Sequence, residues 1–430
     1  MNAPLPLSEI AEAPDSGTPL SPITQPYLLL LFGPPFYVDE SGRRWLEPLW
    51  AKDLIQHTRY IKRLTLAASV VRTPAPENAV ALDQVESLRD VCCVDLPAPR
   101  NILAAFWYLP RTLAALWGAL GSAKFVHAGV AGWPLAEAWL LMPLLMLRRR
   151  PLYINVESAF WRLVPGQKAS LMRRVRAAVA ERLNRLSVEA SDISTFTHEG
   201  YRRSLLRRHT ERGYVVEASW IDDADVLDDS QMQRVIERRR SHTGPLTLVF
   251  AGRLTYEKGL LVLLDAISAA LNEGVNVSLD IFGEGPLADE CRYRIRALGA
   301  NAPVRLRGTM PYDRSFFETI GGFDMLVVPS LSDEQPRIVF DAYAQGLPVL
   351  ASRTEGLVQC VDNGVTGSLV PAGDASALQA CIGRIAREPA LLAAMSAACV
   401  ARARESTHQE MHRKRWRLLV EKFPMLTRPA

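Results

Sequence analysis

Short apolar runs alternate with stretches of helical periodicity along almost the whole chain, a pattern typical of β-α-β units built around parallel sheets. The runs of the first half predict strands over residues 27–32, 64–71, 91–96, 125–127, 152–156 and 193–197. Those of the second half predict strands over residues 246–251, 277–282, 304–307, 325–329, 348–351 and 367–370. The repeated rhythm predicts an α/β protein with two similar Rossmann-like domains.

A polar, charged segment separates the two halves. It covers residues 222–245 and ends in Gly244-Pro245, so it fits a linker. We therefore predict an N-terminal domain over residues 26–221 and a C-terminal domain over residues 246–405. Residues 406–430 are predicted to form a helix that packs back on the N-terminal domain. Residues 1–25 are rich in Pro, Ser and Ala and lack the pattern of a signal peptide, which predicts a disordered tail.

Composition places the chain among globular proteins of a reducing compartment. Of 430 residues, 48% are hydrophobic and 22% are charged, and a chain of this length favours two domains. Only Cys92 and Cys93 of the six cysteines lie close together, which is neither a metal-ligand spacing nor a disulfide framework. The most apolar stretch, residues 135–147, contains Glu137 and Pro143 and is too short to span a membrane. We expect a cytoplasmic protein.

Positive charge is concentrated in residues 148–212. This region holds 15 Lys or Arg against 6 Asp or Glu, hence a net charge of +9, while the whole chain carries +4. Within it, Leu171, Val175, Val179 and Leu183 share one helical face, and most of the arginines lie away from that face. The helix either packs on a core with a solvated outer face, or docks peripherally on an anionic membrane. An acidic glycan would read the same charge, but no nucleic-acid motif is present.

The segment "VFAGRLTYEKG" predicts a strand, a glycine turn and a helix entrance that carries Arg253 and Lys258. Ligands of α/β domains gather at the carboxyl ends of the strands, where helix N-termini attract anions. Two cations at this place suit a diphosphate, although ordinary surface charges are the alternative. At the next such turn, Gly283 and Gly285 formally match a dinucleotide fingerprint. The required acid about 20 residues later is missing, so a nicotinamide dehydrogenase is disfavoured, while close backbone approach to a phosphate remains.

Two acids eight positions apart interrupt an otherwise apolar segment, "LSDEQPRIVFDAYAQGLPVL". Pro336 suits the first turn of a helix and Gly346 its end, so Asp333 precedes the helix and Asp341 lies within it. A carboxylate buried there needs a partner. The pair is therefore either solvated or part of a binding site.

The motifs "GRLTYEKG", "FGEGPL", "DMLVVPS", "DEQPRIVFDAYAQGLPVLAS" and "DNGVTGSLV" follow one another over residues 246–392. In this order they resemble the retaining GT-B glycosyltransferases of the glycosyltransferase family 4 type. In the first half the resemblance rests on the strand pattern and on "FGPPF". It implies a GT-B fold, in which two Rossmann-like domains face each other across a cleft.

The resemblance assigns roles to the charged residues of the second half. Arg253 and Lys258 would hold the diphosphate of a nucleotide-sugar donor. Asp341 would bind the ribose hydroxyls, and Asp333 would contact the sugar near its reacting face. Both aspartates stand where the family usually has glutamate, so the adjacent Glu334 can supply the missing reach.

Four further positions complete the site that the resemblance implies. The backbone amides of Arg337 and Ile338, at a helix N-terminus, would receive phosphate oxygens. Gly33 would bring backbone against the donor phosphate. His127 would orient an acceptor hydroxyl; a structural histidine is the alternative, because the second histidine of many relatives is Gly129 here.

Other polar residues give weaker evidence for a functional site. His198 and Glu199 close a strand of the first domain but belong to no motif. Asp223-Ala224-Asp225 resembles the metal-binding acids of the other large glycosyltransferase class, yet it lies in an acid-rich segment where chance explains it. We therefore predict no required metal or other cofactor, since Arg253 and Lys258 can neutralise the leaving diphosphate.

The resulting prediction is a hexosyltransferase-like enzyme that transfers a sugar, with retention, from a nucleotide-diphosphate sugar to a saccharide or lipid-linked acceptor. Polysaccharide or glycolipid biosynthesis is the expected setting. One alternative is a GT-B epimerase or phosphorylase. The other is an inactive membrane-associated scaffold of the same fold, suggested by the two aspartates and the missing histidine.

Overall fold

The computed structural model describes residues 20–130, 135–241 and 243–429. The chain divides into two compact units. The first unit comprises Met1–Arg162, Ala169–Glu217 and Gln409–Ala430, and the second comprises Leu163–Lys168 and Ala218–His408. Each unit is an α/β structure with its own sheet, as the apolar pattern predicts.

In the described part of the first unit, nine strands form one sheet. They are β1 Tyr27–Val38, β2 Arg44–Leu46, β3 Leu64–Val71, β4 Val80–Ala81, β5 Cys92–Pro97, β6 Phe125–Gly129, β7 Leu152–Val156, β8 Ile193–Phe196 and β9 Gly213–Val215. The helices are α1 Pro48–Tyr60, α2 Ile102–Ser122, α3 Glu137–Arg148, α4 Leu171–Ala190, α5 Glu199–Leu205 and, after the second unit, one that bears His408–Lys422, called α14 below.

This sheet separates two apolar layers. Its main path runs β4-β2-β1-β6-β7-β8-β9, with β3 beside β1 and β5 beside β3. Only the pairings made by β2 are antiparallel among those of the described strands. Along β1, Tyr27 and Leu29 enter one core, while Leu28 and Leu30 enter the other, because successive side chains of a strand point to opposite faces.

The second unit contains a fully parallel sheet of six strands in the order β12-β11-β10-β13-β14-β15. These are β10 Leu246–Ala251, β11 Val277–Phe282, β12 Val304–Gly308, β13 Met325–Val328, β14 Val349–Ser352 and β15 Gly367–Val370. The helices are α6 Asp229–Arg240, α7 Leu260–Asn272, α8 Ala288–Ala297, α9 Arg314–Gly321, α10 Ile338–Ala344, α11 Glu355–Cys360, α12 Ala375–Arg387 and α13 Ala390–Arg404.

All twelve strands predicted from the apolar runs are present, several with the predicted bounds. β1 is longer than predicted, because it continues to Val38 through a register shift between Leu31 and Phe36. Residues 1–19 of the predicted tail lie outside the described residues. Its last part differs from the prediction, since Ile23 is fully buried and donates its N–H to the Tyr60 carbonyl at 2.7 Å.

The predicted linker contains a packed helix. Arg239, near the end of α6, is buried and donates to the Gly346 and Phe323 carbonyls and to the Ser396 hydroxyl. Burial lowers the pKa of this guanidinium to about 10. A charged segment such as the one around Arg239 indicates solvent exposure. The groups that accept hydrogen bonds from this buried side chain lie far along the chain, so the segment itself gives no sign of them.

Within the described residues, no helix has the length and apolar character needed to cross a membrane.

Candidate functional site

The strand order of the second unit reverses between β10 and β13. From β10 the chain proceeds to β11 and β12 on one side, and it then returns to β13, β14 and β15 on the other. Ligands of open α/β sheets bind outside the carboxyl ends of the strands at such a reversal. The relevant segments are residues 252–259, after β10, and residues 329–337, after β13. We call them the β10 loop and the β13 loop.

Three contacts join these two loops. The Leu331 N–H donates to the Glu257 carbonyl at 2.8 Å, and Lys258 Nζ lies 3.3 Å from Glu334 Oε2. Gly259 has a φ of +69°, and a Cβ there would overlap the Pro329 carbonyl oxygen. Only glycine therefore permits this approach of the two backbones. The loops form one continuous edge at the reversal of the sheet.

The two predicted cations differ in their surroundings. The Arg253 side chain is 71% exposed, and its guanidinium lies 3.9 Å from Glu257 Oε1, which is at the limit of an ion pair. Lys258 is mostly buried and forms an ion pair with Glu334. An incoming anion would therefore meet an extended guanidinium and a fixed ammonium.

Gly283 and Gly285 support the β10 loop. A Cβ on Gly283 would overlap the Gly252 carbonyl, and one on Gly285 would collide with the backbone of Leu254. Hydrogen bonds seal the same contact, since the Leu254 N–H donates to the Glu284 carbonyl at 2.8 Å. The close packing of the β10 loop against these two positions is enough to explain both glycines. Their predicted approach to a phosphate remains a prediction.

Asp333 and Asp341 occupy opposite environments. Asp333 is exposed in the β13 loop, whereas Asp341 is 4% exposed within α10. The Tyr312 hydroxyl donates to Asp341 Oδ1 at 2.8 Å. Burial, followed by the nearby Asp341 charge, raises the pKa of Tyr312 well above its usual value. Asp341 is therefore a paired, buried carboxylate, and Asp333 is a solvated one.

The start of α10 differs from the prediction. The helix begins at Ile338 rather than at Pro336, and the first bonded amide is that of Val339, which donates to the Pro336 carbonyl at 3.3 Å. The amides of Arg337 and Ile338 precede it, as the predicted anion site requires. Sequence reasoning missed Gln335, whose side-chain amide exchanges two 2.9 Å hydrogen bonds with the Ala218 backbone. That pair fixes the segment ahead of the helix.

Gly33 and His127 belong to the first unit. Gly33 is exposed within β1 and has a φ of +104°. His127 is buried in β6, with its ring stacked 4.2 Å from that of Tyr153. Burial, and then the neighbouring His57, hold its pKa well below the usual histidine value. These surroundings favour the structural interpretation of His127, and its acceptor role remains a prediction.

The surroundings of the remaining polar candidates are those of structural residues. His198 is buried beside Tyr201, with ring centroids 3.8 Å apart, and burial lowers its pKa to about 4. Asp223-Ala224-Asp225 forms a helical turn in which Asp225 Oδ2 accepts from the Asp222 N–H at 2.7 Å. This acid caps a turn, so its presence is explained without a metal.

Part of the chain is similar in sequence to known glycosyltransferases. Residues 245–388, which include both loops, match the family model for Glycosyl transferases group 1. The chain is 29% identical over 174 residues to the amylovoran biosynthesis glycosyltransferase AmsK of Erwinia amylovora, covering 39% of this chain and 42% of AmsK. It is 34% identical over 134 residues to the phosphatidyl-myo-inositol mannosyltransferase of Mycobacterium leprae, covering 31% and 35%. The match spans less than half of either relative.

The fold is that of GT-B glycosyltransferases, as predicted. The structure of Anabaena HepE in complex with UDP superposes with a TM-score of 0.66 at 16% identity, over 92% of this chain and all of HepE. At this identity the similarity concerns the fold. The group 1 match is confined to the second unit, where the sheet reversal, the joined loops and Arg253 lie.

Proposed function

We propose that this protein is a glycosyltransferase that moves a sugar from a nucleoside-diphosphate sugar to a saccharide or lipid-linked acceptor. Polysaccharide or glycolipid biosynthesis is its setting. The observation that carries the proposal is the joined pair of loops at the sheet reversal, with Arg253 extended from one loop and Lys258 fixed by Glu334 of the other. A group 1 match over the same residues and a GT-B neighbour solved with UDP support it.

The two cations suit the diphosphate of the donor. Arg253 can present its guanidinium fork to two phosphate oxygens, because no close ion pair occupies it. Lys258 contributes a second positive charge, whose position Glu334 restricts. As the bond between the sugar and the diphosphate breaks, negative charge develops on the leaving oxygen, and both cations stabilise it. Transfer under this proposal requires no metal ion.

The acceptor hydroxyl forms the new bond to the anomeric carbon, and its proton passes to the departing diphosphate or to water. Asp333, exposed in the β13 loop, is the carboxylate available to a sugar, while Asp341 is proposed to reach the ribose. Retention of configuration is part of the proposal and rests on the motif resemblance.

An exposed apolar surface on the first unit supports a membrane-presented acceptor. Leu103 and Trp107 of α2 are 78% and 82% exposed, and Leu171 at the start of α4 is 77% exposed. α3 packs against both helices, and its own Met146 and Leu147 are also exposed. The apolar residues of α4 were expected to face a core in one of the two interpretations. Their exposure favours the second interpretation, in which the helix docks peripherally on an anionic membrane.

Arginines flank this surface. Arg173, Arg174 and Arg176 are exposed beside Leu171, and the guanidinium of Arg148 lies 4.0 Å from the ring of Trp117. Aromatic and aliphatic side chains among basic residues fit the interface of an anionic bilayer. We propose that the first unit docks there peripherally, on the cytoplasmic face, where a lipid-linked acceptor would be presented.

The direct test is a thermal-shift screen of nucleoside-diphosphate sugars, followed by product analysis with any donor that stabilises the protein. Transfer of the sugar to a hydroxyl acceptor, with activity retained in EDTA, is the expected result. Release of an epimerised sugar or a sugar phosphate would identify the epimerase or phosphorylase alternative. Membrane binding with no turnover of any donor would identify the scaffold alternative.

A further inference from the structure

A cluster of imidazole and carboxylate groups lies inside the first unit, apart from the proposed donor site. Asp53 and His57 are one turn apart on α1, and His412 comes from α14. One ligand atom from each residue lies within 4.8 Å of the others, and both histidines are 2% exposed. Among the described residues, this group alone has three such atoms together. No motif of the sequence pointed to it.

The spacing of the three side chains suits a shared ion. His412 Nε2 lies 3.0 Å from Asp53 Oδ1. Two ligands of a tetrahedral zinc ion, with bonds of about 2.0–2.1 Å, stand about 3.3 Å apart, so these two atoms can share one cation with little movement. The His57 ring lies edge-on to the His412 ring, with ring centroids 4.6 Å apart, and so belongs to the same group.

One nitrogen of His57 lacks a protein partner. His57 Nδ1 lies 3.0 Å from the Asp53 carbonyl oxygen, so it carries the proton and donates to that acceptor. Nε2 is then a bare lone pair, buried and without a hydrogen bond. Protonation would not resolve this, because the new N–H would also lack an acceptor. A bound cation satisfies the lone pair directly, while the carbonyl orients the ring as outer-sphere partners of metal ligands do.

His412 has the same arrangement. Its Nδ1 lies 3.1 Å from the Tyr60 hydroxyl, whose oxygen can accept a hydrogen bond from the Nδ1–H when Nε2 binds a metal. Tyr60 is itself buried. In each ring the fold holds Nδ1, which leaves Nε2 as the nitrogen for a metal ion.

The geometry points to a divalent transition-metal site formed by Asp53, His57 and His412, for which zinc is the representative ion. Its ligands come from α1 and α14, so the ion fastens the late helix to the early one within the first unit. This role is separate from sugar transfer, for which no metal is proposed.

The full chain tests this without any substitution. The purified protein is stripped with EDTA, dialysed, titrated with Zn²⁺ or Co²⁺, and analysed for metal content and Tm. The expected result is about one bound ion per chain, a Tm that rises with Zn²⁺ and falls again with EDTA, and a Co²⁺ visible spectrum of nitrogen and oxygen ligation. Absence of bound metal together with an unchanged Tm would overturn the site.

Substitutions identify the ligands. His57→Gln and His412→Gln should each lose the bound ion and the Zn²⁺ effect on Tm, as should Asp53→Asn. Two controls keep the ion: His209→Gln, which changes an exposed histidine, and Cys92→Ser, which removes an exposed thiol beside Cys93. If Zn²⁺ binding disappears in Cys92→Ser and persists in both histidine variants, the cysteines bind the metal and the proposal is wrong.

Discussion

Lys258 and Glu334 form a 3.3 Å ion pair that connects the β10 loop to the β13 loop. Both side chains are mostly buried, and the two backbones also meet where Gly259 contacts Pro329. A lysine held in this way has lost much of its rotamer freedom before any ligand arrives. The cost of ordering it is therefore met on folding rather than on donor binding.

Arg253→Ala and Lys258→Ala should each lower kcat/KM for donor turnover by about ten- to a hundredfold. A single charge-assisted contact contributes about 1.5–3 kcal/mol, and each substitution removes one cation from the diphosphate. Steady-state assays with the donor found by thermal shift give the values. Arg314→Ala is the matched control, since this arginine is exposed on α9 and pairs with Glu318. Parental kcat/KM in either variant would refute that residue's assignment.

Asp333→Asn and Glu334→Gln should have different effects. Asp333 is exposed, so its amide should leave Tm unchanged and slow kcat through the lost contact with the sugar. Glu334→Gln should raise the donor KM and slightly lower Tm, because Lys258 loses the carboxylate that positions it. The opposite pattern, with kcat reduced only in Glu334→Gln, would mean that Glu334 contacts the sugar.

Asp341→Asn should weaken the binding of the free nucleoside diphosphate and lower the free energy of unfolding by about 1–3 kcal/mol, since a buried hydrogen bond loses its charge assistance. Tyr312→Phe separates the two effects. It removes this hydrogen bond but leaves the carboxylate, so it should reduce stability with little change in nucleotide affinity. Calorimetry with the nucleoside diphosphate of the donor found by thermal shift, together with chemical denaturation, supplies both numbers. Unchanged nucleotide affinity in Asp341→Asn would exclude the ribose role.

Binding to anionic liposomes should depend on two separable groups. Replacing Arg173, Arg174 and Arg176 with Gln should reduce sedimentation at low salt, because each basic residue near the surface contributes about 1 kcal/mol. The double variant Leu103→Ser, Trp107→Ser should reduce it at high salt as well, since screening within about 10 Å at 0.1 M does not affect apolar insertion. Tyr293→Ser, at an exposed aromatic of the second unit, is the control. A parent protein that ignores anionic liposomes at low salt would disprove docking.

Stability should fall as the pH drops from about 6.5 towards 4, partly through His198. Burial, followed by the charges of Arg162 and Arg203, lowers its pKa to about 4. In this range the unfolded chain binds a proton at His198 and the folded chain does not. The free energy of unfolding therefore falls by up to about 1.4 kcal/mol for each unit by which the pH drops. His198→Phe keeps the ring against Tyr201 and should flatten this part of the profile. The exposed His209→Phe should leave it steep.

The strand framework was predictable from the sequence largely because its central strands, such as β7 and β13, are buried on both faces. Such strands appear as short continuous apolar runs, and β7 and β10 have the predicted bounds. Candidate residues at strand ends followed from the same logic, which placed Arg253 and Lys258 in the loop after β10. The connection of that loop to the β13 loop was not predictable, since Glu334 is 76 residues away from Lys258.

Features that depend on distant partners escaped prediction. α6 lies in a segment whose charge indicated a linker, and Arg239 is accommodated only because acceptors from three other segments surround it. Helical periodicity identified the apolar face of α4, but it cannot tell whether another layer covers that face. His57 and His412 are more than 350 residues apart, so no local pattern joins them.

The last segment of the chain belongs to the unit that is made first. α14 contributes Leu419 to the same core as Tyr27 of β1, and the Thr24 N–H donates to the Leu426 carbonyl. A ribosome releases the N-terminal strands long before residues 409–429 emerge. The core of the first unit therefore stays incomplete during synthesis, and it closes only after the whole second unit has been translated.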